Sequence, residues 1–449
     1  MAITYREENI VVIELGSFTV KALKDITDVN KLPTVQVRTI AGILKNEDTN
    51  NTQQANKEQP TEDSPAEPTH QQDDTKHSAE TEEDKQNKEH EVTEESNTKD
   101  TDGTDISYVF GSNLESTPSD QLDNTIEIIQ NGRVQDWEAL GALLRYVLRE
   151  LGITRIATNY CSILFTVPPY WNKFDLESLV QVAFEHLNSA CIVVLDQPLA
   201  AVYGNAMVNG LVVDMGHENT VVTAVVDSCV MGLGYKTPVG GKAVEIKLAE
   251  LLDKSLDNPN DLAFVRAIKE SGLCKLQLLA TTEDELAQGD EQAERTVAFE
   301  YQGEKHTLSP KKLSEAVSIL VNPPQPYTPL GTLMKQAVLA CEVDRRAALW
   351  ENIHLVGGSS RFPQLKEYLQ MELEKSVLPT SNNFSSTQSR EIKFASLPEY
   401  FVGWRNKDYM VGFLGAMIVA KITVNDAKYN ITRAEYNESG PSIIHTKSF

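Results

Sequence analysis

The chain has 449 residues, enough for two or more ordinary domains, and its hydrophobic content of 41% is ordinary for a soluble protein. Its net charge of −24 is uneven, because residues 46–105 hold 19 Asp and Glu against 5 Lys. The rest of the chain offers no basic stripe, which disfavours direct DNA binding, and no run of 18 apolar residues, which disfavours a membrane span.

The first predicted elements are two strands joined by a tight turn. The sequence ENIVVIELGSFTVKALKD alternates like a strand, turns at Gly16-Ser17 and continues as a second strand. No basic head or cleavage site precedes it, so we expect no secretory signal. The five cysteines form no CxxC pair, which favours reduced thiols in the cytosol or nucleus.

Residues 46–105 come next, with no aromatic residue and with Val92 as the one branched aliphatic residue. Such a segment buries too little apolar area to offset the entropy of ordering its backbone. We therefore predict a disordered acidic insertion. Strand-like sequence lies on both sides of it, which places the insertion within a domain.

Helices and strands alternate after the insertion. VQDWEALGALLRYVLRELG has apolar residues at helical spacing and ends at Gly152, whereas CSILFTVPPYW and ACIVVLD are typical of buried strands. A strand that ends near Asp214 and a hairpin follow, residues 240–324 are largely helical and polar, and NIHLVGGSS contains a last strand. This order predicts an α/β fold with two lobes and a cleft between them.

Three turns are expected to face the cleft, those of IELGSF, VVDMGHENT and HLVGGSS. Glycine-rich turns after strands can present backbone N–H groups to phosphate, and a carboxylate at a strand end, here Asp214, can hold a hydrated Mg²⁺ ion. One such turn is a weak signal. Three in one α/β chain indicate a nucleotide site.

These turns, the stretch NGRVQDWEALGALLRYVLREL and above all the C-terminal ITRAEYNESGPSIIHTKSF make the sequence resemble the actin family outside 46–105. The runs RRAALWENIHLVGGSS, LPEYFVGWRNKDYMVGFLGAMIVAK and TPVGGKA are most similar to a fungal nuclear branch of the family, which supplies subunits of the SWI/SNF and RSC chromatin remodellers. The resemblance implies the two-lobed actin/Hsp70/sugar-kinase fold with a central nucleotide cleft.

The resemblance also implies four subdomains. Subdomain 1 would comprise 1–36, 126–204 and 410–449, subdomain 2 would be 37–125 with the insertion, subdomain 3 would be 205–239 and 325–409, and subdomain 4 would be 240–324.

Site residues are implied in the same way. Asp214 would hold the Mg²⁺ of bound ATP or ADP, and Gln197 falls where actin orients the attacking water, so these two are the remnants of a catalytic set. The expected nucleotide-binding residues are Gly16, Ser17, Lys21, Asp214, Gly216, Lys269, Glu270, Gly358, Ser359 and Phe362.

Five positions depart from the family's motifs, and one of them is Met215, which replaces a serine or glycine of the second loop. Phe18 replaces a glycine of the first loop, where a ring would obstruct phosphate. Glu218 replaces a glycine of the second loop and would bring negative charge near a polyphosphate, while His217 replaces an acid and would offset that charge if protonated. Val221 replaces a histidine and can neither relay a proton nor order water. We therefore expect a degenerate ATPase that is no enzyme.

The leading hypothesis is a non-catalytic scaffold of a nuclear remodelling complex that supports transcription regulation. The resemblance implies docking on the HSA helix of a Snf2-type motor ATPase, beside a second nuclear actin-related protein, through a groove formed in part by the C-terminal segment and 196–204. Self-repulsion of the insertion opposes filament packing, so no homopolymer is expected. Two alternatives stay open: an active actin-like ATPase that cycles nucleotide, and a cytoskeletal or filament-capping protein.

Overall fold

A computed structural model describes residues 5–45, 97–99, 105–118, 120–278, 296–378 and 391–447. Its strands are β1 (Ile10–Leu15), β2 (Thr19–Lys24), β3 (Val35–Arg38), β4 (Ile40–Leu44), β5 (Asn97–Lys99), β6 (Asp105–Val109), β7 (Leu122–Glu127), β8 (Ile129–Gln130), β9 (Arg133–Val134), β10 (Ser162–Val167), β11 (Cys191–Asp196), β12 (Gly210–Met215), β13 (Thr220–Val226), β14 (Cys229–Thr237), β15 (Val297–Tyr301), β16 (Glu304–Leu308), β17 (Ile353–Val356) and β18 (Ile431–Thr432). Its helices are α1 (Gly111–Ser116), α2 (Trp137–Glu150), α3 (Lys173–Gln181), α4 (Gln197–Gly204), α5 (Gly241–Leu251), α6 (Pro259–Glu270), α7 (Pro310–Ser318), α8 (Leu330–Leu339), α9 (Val343–Trp350), α10 (Leu365–Val377), α11 (Val411–Thr423) and α12 (Arg433–Ser439).

Two sheets that contain the same arrangement of four strands define two lobes. The first lobe is built on a six-stranded sheet in the order β18-β11-β10-β1-β2-β3, where β1 pairs parallel with β10 and antiparallel with β2. The second lobe is built on a four-stranded sheet in the order β14-β13-β12-β17, where β12 pairs parallel with β17 and antiparallel with β13. Each sheet thus joins a three-stranded meander to a parallel strand. The predicted two-lobed α/β fold is confirmed.

Local sequence explains the ends of α2, which packs on the first sheet. Asp136 caps its N-terminus, where the side chain accepts a hydrogen bond from the Ala139 N–H at 2.9 Å. Its apolar face, which includes Leu140 and Leu144, is fully buried. Gly152 follows the helix with φ of +81°, a conformation that glycine adopts without steric cost.

A third core lies between the lobes, where α4 and α11 cross. Gly204 faces the backbone of Val411, and Gly415 faces the backbone of Ala200, so closely that a Cβ at either glycine would overlap a carbonyl oxygen. The helices therefore touch at their backbones. Most side chains of α4 are buried by this packing, and among 196–204 the partly accessible residues are Asp196, Gln197 and Tyr203. The predicted partner groove consequently receives little surface from 196–204.

The acidic segment is described only at its C-terminal end. Asn97–Lys99 form β5 and pair antiparallel with β6, which begins at Asp105. Because β6 also pairs with β4, the strands on either side of the segment belong to one sheet, and the predicted insertion within a domain is confirmed. The remainder, 46–96 and 100–104, lies outside the described residues. The four subdomain boundaries stay a prediction. In the described part of the chain no helix is long and apolar enough to cross a membrane.

Candidate nucleotide cleft

A cavity of about 510 Å³ is lined by residues of both lobes. Three turns meet there, because β1, β12 and β17 each end at its wall. The structure brings together every residue that the sequence predicts for the site. From the first lobe these are Gly16, Ser17, Lys21 and Gln197, and from the second lobe they are Asp214, Gly216, Lys269, Glu270, Gly358, Ser359 and Phe362.

The first loop is the tight turn between β1 and β2. A Cβ on Gly16 would lie 2.6 Å from the Thr19 carbonyl oxygen, so the turn requires glycine. The Thr39 hydroxyl donates a hydrogen bond to the Gly16 carbonyl at 2.7 Å. Lys21 stands opposite Glu14 in the strand register and is ion-paired with it. The ammonium that would meet a phosphate therefore already has an anionic partner.

Asp214 lies near the end of β12, in register with Val221 of β13 and Val356 of β17. Burial and the neighbouring Glu14 carboxylate raise its pKa to about 6, while Lys21 acts in the opposite direction. Among the described residues, no group of three or more His, Cys, Asp or Glu side chains could hold a metal ion. One carboxylate nevertheless suits Mg²⁺, which takes its remaining ligands from water and phosphate. The residues present thus fit a nucleotide-borne Mg²⁺ ion.

Gln197 is the first residue of α4, and its Nε2 donates to the Leu15 carbonyl at 3.0 Å. The side-chain nitrogen is therefore engaged with the backbone, at a position that lines the cavity. Val221 also lines the cavity, where its side chain offers no polar atom. The arrangement can hold a ligand, but at Val221 it has no group to accept a proton.

Phe18 contacts His217 across the cleft, with ring centroids 4.3 Å apart. The Arg38 guanidinium carbon lies 3.8 Å from the centroid of the Phe18 ring. Burial, followed by the charges of Lys269, Arg266 and other cations, lowers the pKa of His217 to about 3. His217 is therefore neutral at pH 7, so the offset of the Glu218 charge that a protonated ring would give does not arise at that pH.

The Glu218 carboxylate is bonded to groups that do not line the cavity. Its Oε2 accepts a hydrogen bond from the Asn131 backbone N–H at 2.5 Å, and its Oε1 lies 3.6 Å from the Lys242 ammonium. Glu218 is absent from the residues that line the described cavity. A neighbouring hairpin therefore supplies the Glu218 carboxylate with a donor that the sequence could not reveal, and the effect of its charge on a polyphosphate stays a prediction.

Comparison with known proteins decides the family. The sequence model of actin matches residues 6–284 and 291–449. The chain belongs to the actin family. SWI/SNF and RSC complexes subunit arp9 of Schizosaccharomyces pombe is 25% identical over 99% of each chain. Actin-like protein 9 of Mus musculus is 28% identical over 78% of this chain and 79% of its own, and Actin-related protein 2 of Saccharomyces cerevisiae is 28% identical over 70% and 80%.

Sequence reasoning missed Glu245, which pairs with a residue predicted for the adenosine side of the cleft. Lys269 is ion-paired with Glu245 of α5, whose side chain is almost fully buried, and Arg266 Nε lies 3.3 Å from the other carboxylate oxygen. No spacing pattern signals this pair, because the residues lie on different helices. Arg361 and Tyr409 were also missed, although both line the cavity and the Arg361 guanidinium stacks 4.7 Å from the Tyr409 ring.

Proposed function

We propose that the chain is a non-catalytic, actin-related scaffold subunit of an ATP-dependent chromatin-remodelling complex of the SWI/SNF or RSC type, located in the nucleus. The observation that carries this proposal is the end-to-end match to SWI/SNF and RSC complexes subunit arp9 of Schizosaccharomyces pombe, which covers 99% of both chains. The relatives named as actin-like and actin-related proteins match shorter parts of this chain. A role in transcription regulation follows from the proposed complex.

The cleft supports the non-catalytic part of the proposal. Val221 lines the cavity with an apolar side chain, the nitrogen of Gln197 is bonded to a backbone carbonyl, and the Phe18 ring lies within the first loop. Water attack on a γ-phosphate requires an oriented water and a group that handles its proton. These positions offer an amide oxygen and no base.

An active ATPase is the second candidate, favoured by the convergence of all the predicted nucleotide-binding residues on one cavity. Under this alternative ATP or ADP with Mg²⁺ is the cofactor, and Asp214 holds the ion. Phosphate release at saturating ATP and Mg²⁺ separates the candidates. We expect no multiple-turnover release above that of Asp214→Ala. Release that Asp214→Ala abolishes would establish the ATPase.

The proposed partners are the HSA helix of a Snf2-type remodeller ATPase, a second nuclear actin-related protein and other remodeller subunits. We propose neither DNA nor a membrane nor a homopolymer as a binding partner. The C-terminal segment, rather than 196–204, is the candidate contact, since it lies on the surface of the first lobe. There Tyr436 stacks on Phe184 at 4.6 Å between centroids, and Arg433 Nη2 donates to the Ser189 carbonyl at 2.9 Å.

Purification of the tagged chain from nuclear extract at moderate salt, with partners identified by mass spectrometry, tests the assignment. We expect a large remodeller ATPase and another actin-related protein in equal amounts. A matched extract whose motor ATPase lacks its HSA segment should yield the tagged chain without the motor. Recovery of the chain alone, or with actin and cytoplasmic factors, would overturn the proposal.

A further inference from the structure

We propose that side chains of the protein itself latch the cleft shut, Phe18 against His217 and Glu218 against Asn131, so that the two lobes stay closed without nucleotide. This inference concerns the isolated chain and does not depend on the remodeller assignment.

The first contact of the latch is aromatic. Phe18 lies on the β1–β2 turn of the first lobe, and His217 lies on the β12–β13 turn of the second lobe. Their ring centroids are 4.3 Å apart, with an angle of 47° between the planes. Arg38 of the first lobe and Arg266 of the second place their guanidinium carbons 3.8 and 5.6 Å from the Phe18 centroid. One ring thus binds groups from both lobes.

The second contact clamps the β8–β9 hairpin, which packs on the core of the first lobe. Glu218 accepts the Asn131 N–H at 2.5 Å, while Lys236 of β14 donates to the carbonyl of the same residue. Lys242 of α5 bridges the two lobes, because its ammonium lies 3.6 Å from the Glu218 carboxylate and 3.3 Å from the carboxylate of Glu127 in β7. Both backbone groups of Asn131 are therefore held by the second lobe.

The latch residues are those at which the sequence departs from the family's phosphate loops. Glycine in place of Phe18 or Glu218 could not reach the opposite lobe, so closure would then rest on the remaining lysine contacts and on a ligand that bridges the two loops. A direct contact removes the need for that ligand, because a ligand stabilises closure only through its differential affinity for the closed state. The low pKa of His217 is consistent with this role, since a neutral ring does not repel the nearby arginines.

Hydrogen exchange of backbone amides in the nucleotide-free full-length protein tests the latch. Exchange is read on the element opposite each substitution: at 216–219 for Phe18→Ala and at 130–133 for Glu218→Ala. We expect exchange there to rise about tenfold, the shift that loss of an aromatic pair or a charged hydrogen bond produces. Phe174→Ala is the matched control, because Phe174 is 65% exposed and lies outside the cleft. In the wild type, ATP with Mg²⁺ should slow exchange no further.

Two results would overturn the latch. One is unchanged exchange at the opposite element in both variants, and the other is strong slowing of exchange by ATP with Mg²⁺ in the wild type. If circular dichroism shows that an alanine variant does not fold, Phe18→Leu and Glu218→Gln decide the question by the same readout. They keep the side-chain bulk and remove the ring contact or the charge. Partner recovery from nuclear extract is a separate observation, so failure of the latch leaves the proposed function standing.

Discussion

Glu245 and Lys269 form an ion pair between α5 and α6 in which both side chains are largely hidden from solvent, at 3% and 11% exposure. Arg266 contacts the same carboxylate at 3.3 Å. The lysine that the family motif assigns to nucleotide is therefore held by an anion within the protein. This internal pairing weakens the attraction that Lys269 can offer to a nucleotide.

Glu245→Gln should destabilise the fold by about 3 kcal/mol, because it leaves two cations without their carboxylate in a poorly solvated site. Urea unfolding at pH 7 measures the loss. Glu391→Gln is the control, since the Glu391–Lys393 pair is more than half exposed and such pairs contribute less than about 1 kcal/mol. Equal effects of the two substitutions would show that burial does not strengthen the Glu245 pair.

His217 should make the protein sensitive to acid. Its pKa is about 3 in the folded state, below the ordinary value of 6.5, so the unfolded chain takes up the proton first as the pH falls. The contribution of neutral His217 to the free energy of unfolding is complete above pH 6.5. It is lost as the pH falls towards 3, at about 1.4 kcal/mol per pH unit. His217→Phe keeps a ring against Phe18 and removes the titration.

Urea unfolding of wild type and His217→Phe at pH 7, 6 and 5 checks this. The variant should lose less stability than the wild type over that interval. A residual slope is expected from His354, whose pKa burial lowers to about 4. Parallel curves for the two proteins would contradict the prediction.

Asp214 should have the opposite pH dependence. Its pKa of about 6 lies above the ordinary value of 3.8, so the folded state holds the proton more tightly. This contribution is present below pH 4 and is lost as the pH rises to 6. Asp214→Asn should therefore raise the free energy of unfolding at pH 7 by about 3 kcal/mol, with the gain vanishing below pH 4. A lower free energy of unfolding for the variant at pH 7 would show that burial does not disfavour the charged form of Asp214.

Gly415→Ala should weaken the packing of α11 on α4. A Cβ there would overlap the Ala200 carbonyl oxygen, so α4 and α11 must move apart, at a cost of about 2 kcal/mol. Gly412→Ala in the same helix is the matched control, because the nearest atoms to its Cβ lie 3.9 Å away. Alanine favours helix by up to about 1 kcal/mol, so the control should be neutral or stabilising in thermal unfolding. A lower melting temperature for the control than for Gly415→Ala would contradict this packing.

Much of the site was predictable because its signals are local. A strand followed by a glycine turn can be read from a few adjacent residues, and the three turns at Gly16, Gly216 and Gly358 do line one cavity. Helix α2 was predictable for the same reason, since its apolar spacing and Gly152 lie within one stretch. The pairing of Asn97–Lys99 with β6 was not predictable, because composition carries no information about a pairing partner.

The amino-acid pattern was sufficient for the α/β class, the two lobes and the residues of the cleft, because periodicity and turn chemistry act over short distances along the chain. It was not sufficient for the behaviour of the substituted loop residues. The hydrogen bond of Glu218 depends on Asn131, and the ion pair of Lys269 depends on Glu245. The neutrality of His217 depends on burial and then on surrounding cations. Those groups come from other elements, and only folding sets their distances and their exposure to water, which determine the strength of each interaction.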